Sequence, residues 1–221
     1  MKKDIYHGSP QIIAHPIFGY GKTENDYGVG FYCTEIEDMA KEWSTGEDHD
    51  GFANHYQIET DGLSVLNLND TNITILHWLA VLLGNRFFPI TSQLAKDARE
   101  YLLANFAIDY STYDIMYGYR ADDSYFSFAQ DFLSGTISYP QLTVAMRIGK
   151  LGEQIVLKSK AAFARIKFRS AKAATRETWL AAKERRDAAA RKDYFDMRKT
   201  PYRLEDLSIQ KIMEERIKPG D

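Results

Sequence analysis

The sequence predicts an α+β fold, on three observations. Strand-like runs lie near both ends of the first 168 residues, capped helix patterns crowd between them, and the two do not alternate as a strict βαβ series would. Aromatic residues make up 13% of the chain, more than a helical bundle needs and in line with a sheet or an aromatic-lined cleft. At 221 residues and 44% hydrophobic composition, there is enough apolar side chain for a real core.

Residues 5–7 read as a short first strand, stopped by Gly8-Ser9-Pro10, where glycine and proline turn the chain. A loop with Pro16, Gly19, Gly21, Asn25 and Asp26 leads to a second strand at 28–34. Thr34 is placed to cap a helix over 35–43, whose first turn is acidic (Glu35, Glu37, Asp38) and whose Met39, Ala40 and Trp43 share a face. Residues 52–60 and 63–68 read as a hairpin about Asp61-Gly62. Thr71 or Asn72 opens an apolar helix to Phe88, and Thr91 or Ser92 a second over 94–106. A strand at 113–119 follows, then a helix from Asp122 or Asp123 to Leu133 and another over 138–148. Residues 150–157 read as a central strand, with 164–168 as its alternating neighbour. Beyond Phe168 the chain turns rich in Ala, Lys, Arg and Glu. Residues 171–198 contain no Gly or Pro and predict a long helix ending before Pro201, with a second over 204–217. The expected division is one domain over 1–170 and a separable, basic helical extension over 171–221.

A formal net charge of −3 gives the whole chain no strong field toward nucleic acid or membrane. The distribution is uneven: fifteen Lys/Arg face five Asp/Glu between Leu157 and Arg203, which leaves the rest acidic. That segment reads either as a solvated helix of mixed charge or as a face for an acidic partner or nucleic acid, with Arg185, Arg186, Arg191 and Lys192 its densest cluster. The lone Cys33 sits in an apolar run and reads as a small buried hydrophobe. His15, His49, His55 and His77 lack ligand spacing, so no metal is expected. Polar residues interrupt the N-terminus before any signal-peptide core, and no window approaches 18 apolar residues. The expectation is a soluble, cytoplasmic protein without a membrane partner.

The chemistry centres on Tyr6-His7-Gly8-Ser9 and Gly28-Val29-Gly30-Phe31-Tyr32. If their strands are neighbours, an imidazole, a phenol and unobstructed backbone amides come within reach of one another, which suits the amide and ribose of a dinucleotide. Each part also has a plain structural role: His7 as a strand-end histidine, the glycines as turn residues, Trp43 as core, Asp122-Asp123 as a helix cap.

With Gly152-Glu153-Gln154-Ile155-Val156-Leu157 as a third motif, the order resembles the diphtheria-toxin-like and poly(ADP-ribose)-polymerase-like ADP-ribosyltransferases. Adding Asp26-Tyr27, Cys33-Thr34, Arg120-Ala121-Asp122-Asp123 and Lys158-Ser159, it looks more closely like a bacterial and phage family of uncharacterised proteins grouped with them, over about residues 4–168. The resemblance implies a split β-sheet core with inserted helices, NAD as substrate, and transfer of ADP-ribose to a macromolecule, either protein or nucleic acid. It also implies a role as the toxin of a toxin–antitoxin or phage-related system, with an antitoxin or other acidic partner at the basic helix. By the same resemblance His7 holds a ribose, Gly8 reads the nicotinamide carboxamide, Ser9 and Gly30 belong to the binding motifs, and Tyr32 and Trp43 flank the ring. The family's helix serine falls on Ala40. The late catalytic position is Glu153 when aligned on the preceding glycine, the assignment preferred here, and Gln154 when aligned on Val156-Leu157-Lys158-Ser159. Alternation sends the two to opposite faces of a strand, so one of them enters the cleft. A glutamine there cannot act as a base, which leaves a second class open: a non-catalytic module that holds NAD or another nucleotide.

Overall fold

The computed structural model describes residues 1–121, 123–148 and 153–220. Asp122, Gly152 and the expected start of the late strand at 150–152 lie outside them. Strands β1 (Lys2–Ser9), β3 (Gly51–Glu59) and β7 (Ile166–Ala174) form an antiparallel sheet in the order β1-β3-β7. Strands β2 (Phe31–Cys33), β4 (Val65–Asn67), β5 (Ile115–Tyr119) and β6 (Glu153–Leu157) form a second sheet in the order β2-β6-β5-β4. The fold is α+β, with helices α1 (Glu37–Ser44), α2 (Ile75–Asn85), α3 (Gln93–Phe106), α4 (Asp123–Leu133), α5 (Tyr139–Ala145), α6 (Lys160–Ala164), α7 (Arg176–Arg198) and α8 (Ile209–Glu214).

Two cores follow from strand alternation in the second sheet. Phe31, Cys33, Ile115, Tyr117, Ile155 and Leu157 point to one face and meet Ile5, Tyr56 and Ile58 of the first sheet. Met116 and Val156 point to the other and meet the helices. That helical layer is built on α2, apolar on nearly every side and therefore buried all round. Its cap is Thr74, in a capping box with His77, two or three residues later than the expected Thr71 or Asn72. Ser92 caps α3 by accepting from Ala95 N at 3.2 Å. Helix α1 begins at Glu37 rather than residue 35, because Thr34 is still paired with Tyr6.

Three connections differ from the expected ones. Gly62 makes a turn at φ 78°, but β3 pairs with β1 and β7, while β4 crosses to the second sheet and runs parallel to β5. Residues 166–168 pair with β3, not with the late strand β6. The division expected at 170/171 falls inside β7, and the segment beyond it packs into the helical core. Tyr194 of α7 stacks on Phe128 with ring centroids 3.8 Å apart, and Ile209 and Ile212 of α8 are buried. No helix among the described residues is long and apolar enough to cross a membrane.

Candidate functional site

The two sheets part where β1 and β2 meet. Tyr6 and Thr34 exchange both backbone hydrogen bonds, Tyr6 N to Thr34 O at 2.8 Å and Thr34 N to Tyr6 O at 2.9 Å. Tyr6 therefore spends its N–H and C=O toward β2, and the two-residue period aims those of Gly8 the same way, beyond the end of the bridge. Outside the β1–β3 ladder neither Gly8 group has a hydrogen-bond partner among the described residues, and the same alternation turns both away from Ala53 across that ladder. The opposite face of Gly8 lies under α1: a Cβ there would stand 2.2 Å from Ala40 O and 2.9 Å from Trp43 Cβ. Only glycine permits this approach, so Gly8 presents an open peptide edge directly beside Trp43.

His7 is on the other face of β1. Its ring stacks on Phe31 at 4.3 Å, and Nδ1 lies 2.7 Å from the Tyr32 carbonyl. Because a carbonyl can only accept, Nδ1 carries the proton. Burial holds the imidazole below its ordinary pKa, with the bond to Tyr32 opposing, so Nε2 is a bare acceptor at neutral pH. Ser9 is buried, its Oγ accepting from Gln11 N at 3.2 Å in the following turn.

The Tyr32 hydroxyl donates to Gly28 O at 2.6 Å and accepts from Tyr27 N at 3.0 Å, which leaves the ring as its contribution to the site. Gly28 needs its φ of 69° for this turn, and Gly30 packs where a Cβ would meet Val156 Cγ1 at 2.5 Å. Tyr32, Trp43 and Gln154 line one cleft of about 210 Å³, together with Asn25, Asp26, Arg86, Arg120 and Ala121. The Arg120 guanidinium lies 4.4 Å over the Trp43 ring. Gln154 is buried and donates to Asp26 Oδ2 at 2.7 Å, a distance the Ala121 amide nearly matches at 3.0 Å.

The register decides between the two late residues. Tyr32 pairs with Val156, and Gln154, two residues along β6, shares their face. Glu153, the preferred assignment from the glycine alignment, points the other way. It is exposed, accepts from Asn69 Nδ2 at 2.6 Å and lines a different depression with Lys3, Glu35 and Tyr117. The structure thus joins Tyr32, Trp43 and Gln154, sets His7 and Gly8 immediately behind them, and turns Glu153 away. We expect Glu153→Gln to leave ligand binding at this cleft within about twofold of wild type and Gln154→Ala to weaken it at least about fivefold, read by calorimetry, since loss of one buried hydrogen bond is worth roughly 1 kcal/mol or more.

Sequence reading gave no role to Asp26, Arg86 and Lys158. In the sequence Asp26 is a loop residue and half of the Asp26-Tyr27 match to the bacterial and phage family, with no chemical role attached. Lys158 Nζ donates to the carbonyls of Tyr27 at 2.5 Å and Val29 at 2.6 Å and lies over the Tyr110 ring, and burial holds its pKa below the usual lysine value. It pins the loop that carries Asp26.

A family profile matches residues 3–168, a span that contains every residue of this site. The chain belongs to the DUF3990 family. That family is described as a protein of unknown function. No curated protein and no solved structure matches this DUF3990 chain. The DUF3990 match ends within β7, although β7 runs on to Ala174 and α7 and α8 complete the core.

Proposed function

We propose that this chain binds NAD and transfers its ADP-ribose to a macromolecular acceptor. The observation that carries the reading is the open peptide edge of Gly8 under Trp43, a residue that lines the cleft with Tyr32 and Gln154. A primary carboxamide such as that of nicotinamide offers one acceptor and two donors, the complement of one peptide N–H and C=O. The Trp43 face, now covered by the Arg120 cation, is suited to a pyridinium ring. A cleft of about 210 Å³ is below the roughly 300–1,000 Å³ of sites that enclose a whole drug-sized ligand, and suits a single ring. His7 Nε2 would accept from a ribose hydroxyl, and Gln154, its amide nitrogen held by Asp26, would turn its carbonyl oxygen to the reacting ribose.

The acceptor, protein or nucleic acid, and a toxin role within a toxin–antitoxin or phage-related system belong to the same proposal, as does an acidic partner on α7. On that helix Arg186 turns inward to Glu42 at 2.9 Å and Lys192 pairs with Asp196 at 2.7 Å, so the four basic residues do not form one unpaired stripe. A second reading, an NAD-holding module without turnover, is favoured by the lack of a base at Gln154 and of a hydroxyl at Ala40.

The test is NAD-dependent thermal stabilisation. Ligand at 100 times its Kd should add about 2.7 kcal/mol to wild type. His7→Ala should fold and lose that response. Full stabilisation of folded His7→Ala would remove His7 from the site, and no response from wild type would remove NAD. Labelled NAD incubated with the protein and a cell lysate separates transfer from binding alone.

A further inference from the structure

The residues lining the cleft include two guanidiniums, Arg86 and Arg120, and one acid, Asp26. A buried carboxylate is costly unless it is bonded, and Asp26, at 5% exposure, is bonded on one side only. Oδ2 accepts from both Gln154 Nε2 and Ala121 N. Oδ1 accepts no hydrogen bond among the described residues, and Arg86 Nη1 stands 3.7 Å from it, too far for one. Two separate segments, at Ala121 and Gln154, therefore fix a carboxylate whose second oxygen keeps its lone pairs, in the cleft that Tyr32 and Trp43 line. Gln154 occupies the position where a base is absent, and it delivers its N–H to Asp26.

On the NAD reading above, we infer that Asp26 is a catalytic residue, its Oδ1 accepting the proton of the attacking group while Gln154 and the Ala121 amide hold it in place. The ribose C1′–nitrogen bond breaks and its electron pair leaves with neutral nicotinamide. The acceptor, or water in simple hydrolysis, gives a lone pair to C1′ and forms the new C–O or C–N bond. Its proton passes to Asp26 and then to solvent, so NAD⁺ and the protonated acceptor yield ADP-ribosylated acceptor, nicotinamide and one proton. The negative charge also opposes the positive charge that develops on the ribose.

The groups facing Asp26 are Arg86 at the end of α2, Arg120 after β5, and the phenols of Tyr27 and Tyr32. Burial lifts the carboxyl above its ordinary value, while the bonds from Gln154 and Ala121 and the charges of Arg86 and Arg120 pull it back. Activity that needs the ionised form should fall as pH drops through that raised value, earlier than for an exposed acid.

The experiment follows nicotinamide release from NAD, with water as acceptor, alongside NAD affinity by calorimetry, for full-length wild type and Asp26→Asn. The expected result is NAD affinity within about threefold and release slowed at least about 100-fold, with the acidic limb of the wild-type pH profile absent from the variant. Release by Asp26→Asn within tenfold of wild type and with the same limb would overturn the role of Asp26 and leave the NAD reading standing. Wild type that binds NAD without releasing nicotinamide also overturns it, and wild type that does not bind NAD removes the NAD reading first. Should Asp26→Asn not fold, the wild-type profile decides alone: a rate independent of pH across the carboxylate range sinks the assignment.

Discussion

Gly8→Ala is expected to abolish NAD-dependent stabilisation and to lower the melting temperature of the free protein. The new Cβ would lie 2.2 Å from Ala40 O and 2.9 Å from Trp43 Cβ, both rigidly attached to the α1 backbone, so no rotamer change relieves the contact. Either β1 or α1 must move. Overpacking of this kind costs about 1–3 kcal/mol, and in a chain of this size each kcal/mol moves the melting temperature by roughly 2–4 °C. The displacement also carries Trp43 away from the open peptide edge, so binding suffers more than stability does. Scanning fluorimetry with and without NAD reads both effects. An unchanged melting temperature with a full NAD response would mean that α1 does not rest on Gly8.

Truncation after Ser170 should give an insoluble or non-cooperative product, contrary to the separable extension expected from composition. It removes the half of β7 that pairs with residues 51–54 of β3, and with it Tyr194, Ile209 and Ile212 from the helical core. Burial of each such side chain is worth about 1.5–3 kcal/mol. The three together rival the entire net stability of a typical domain, about 5–15 kcal/mol. Soluble expression, circular dichroism and thermal melting of the 1–170 fragment check this. A fragment that melts cooperatively and binds NAD would show that α7 and α8 are an accessory layer after all.

What was legible in the sequence was local. The apolar Ile155-Val156-Leu157 of β6, the Ser92 cap and the glycine-aromatic turn into β2 each carry their signal within a few residues. Pairing across long separations was not. Asp61-Gly62 does turn the chain, yet nothing in residues 63–68 shows that their strand leaves for another sheet. Ala171, Ala173 and Ala174 favour helix by propensity, and the ladder with β3 overrides it. Choosing between Glu153 and Gln154 required the register of β6 against β2 and β5. The Asp26-Tyr27 motif carried no chemistry in the sequence, because Gln154, which gives Asp26 its meaning, lies 128 residues away.

Strand β6 grips the loop before β2 at two points, Gln154 on Asp26 and Lys158 on the carbonyls of Tyr27 and Val29. Four residues of extended chain separate the grips, about 13 Å, enough to deny the loop a pivot. The acid and the amide that holds it then form the stationary jaw of the cleft. On the NAD reading, a ring that stacks on Trp43 would displace the Arg120 guanidinium, which lies 4.4 Å over that face. Hydrogen exchange should therefore be slow and unaffected by ligand along β6, and should respond to ligand at the end of α1 and just after β5.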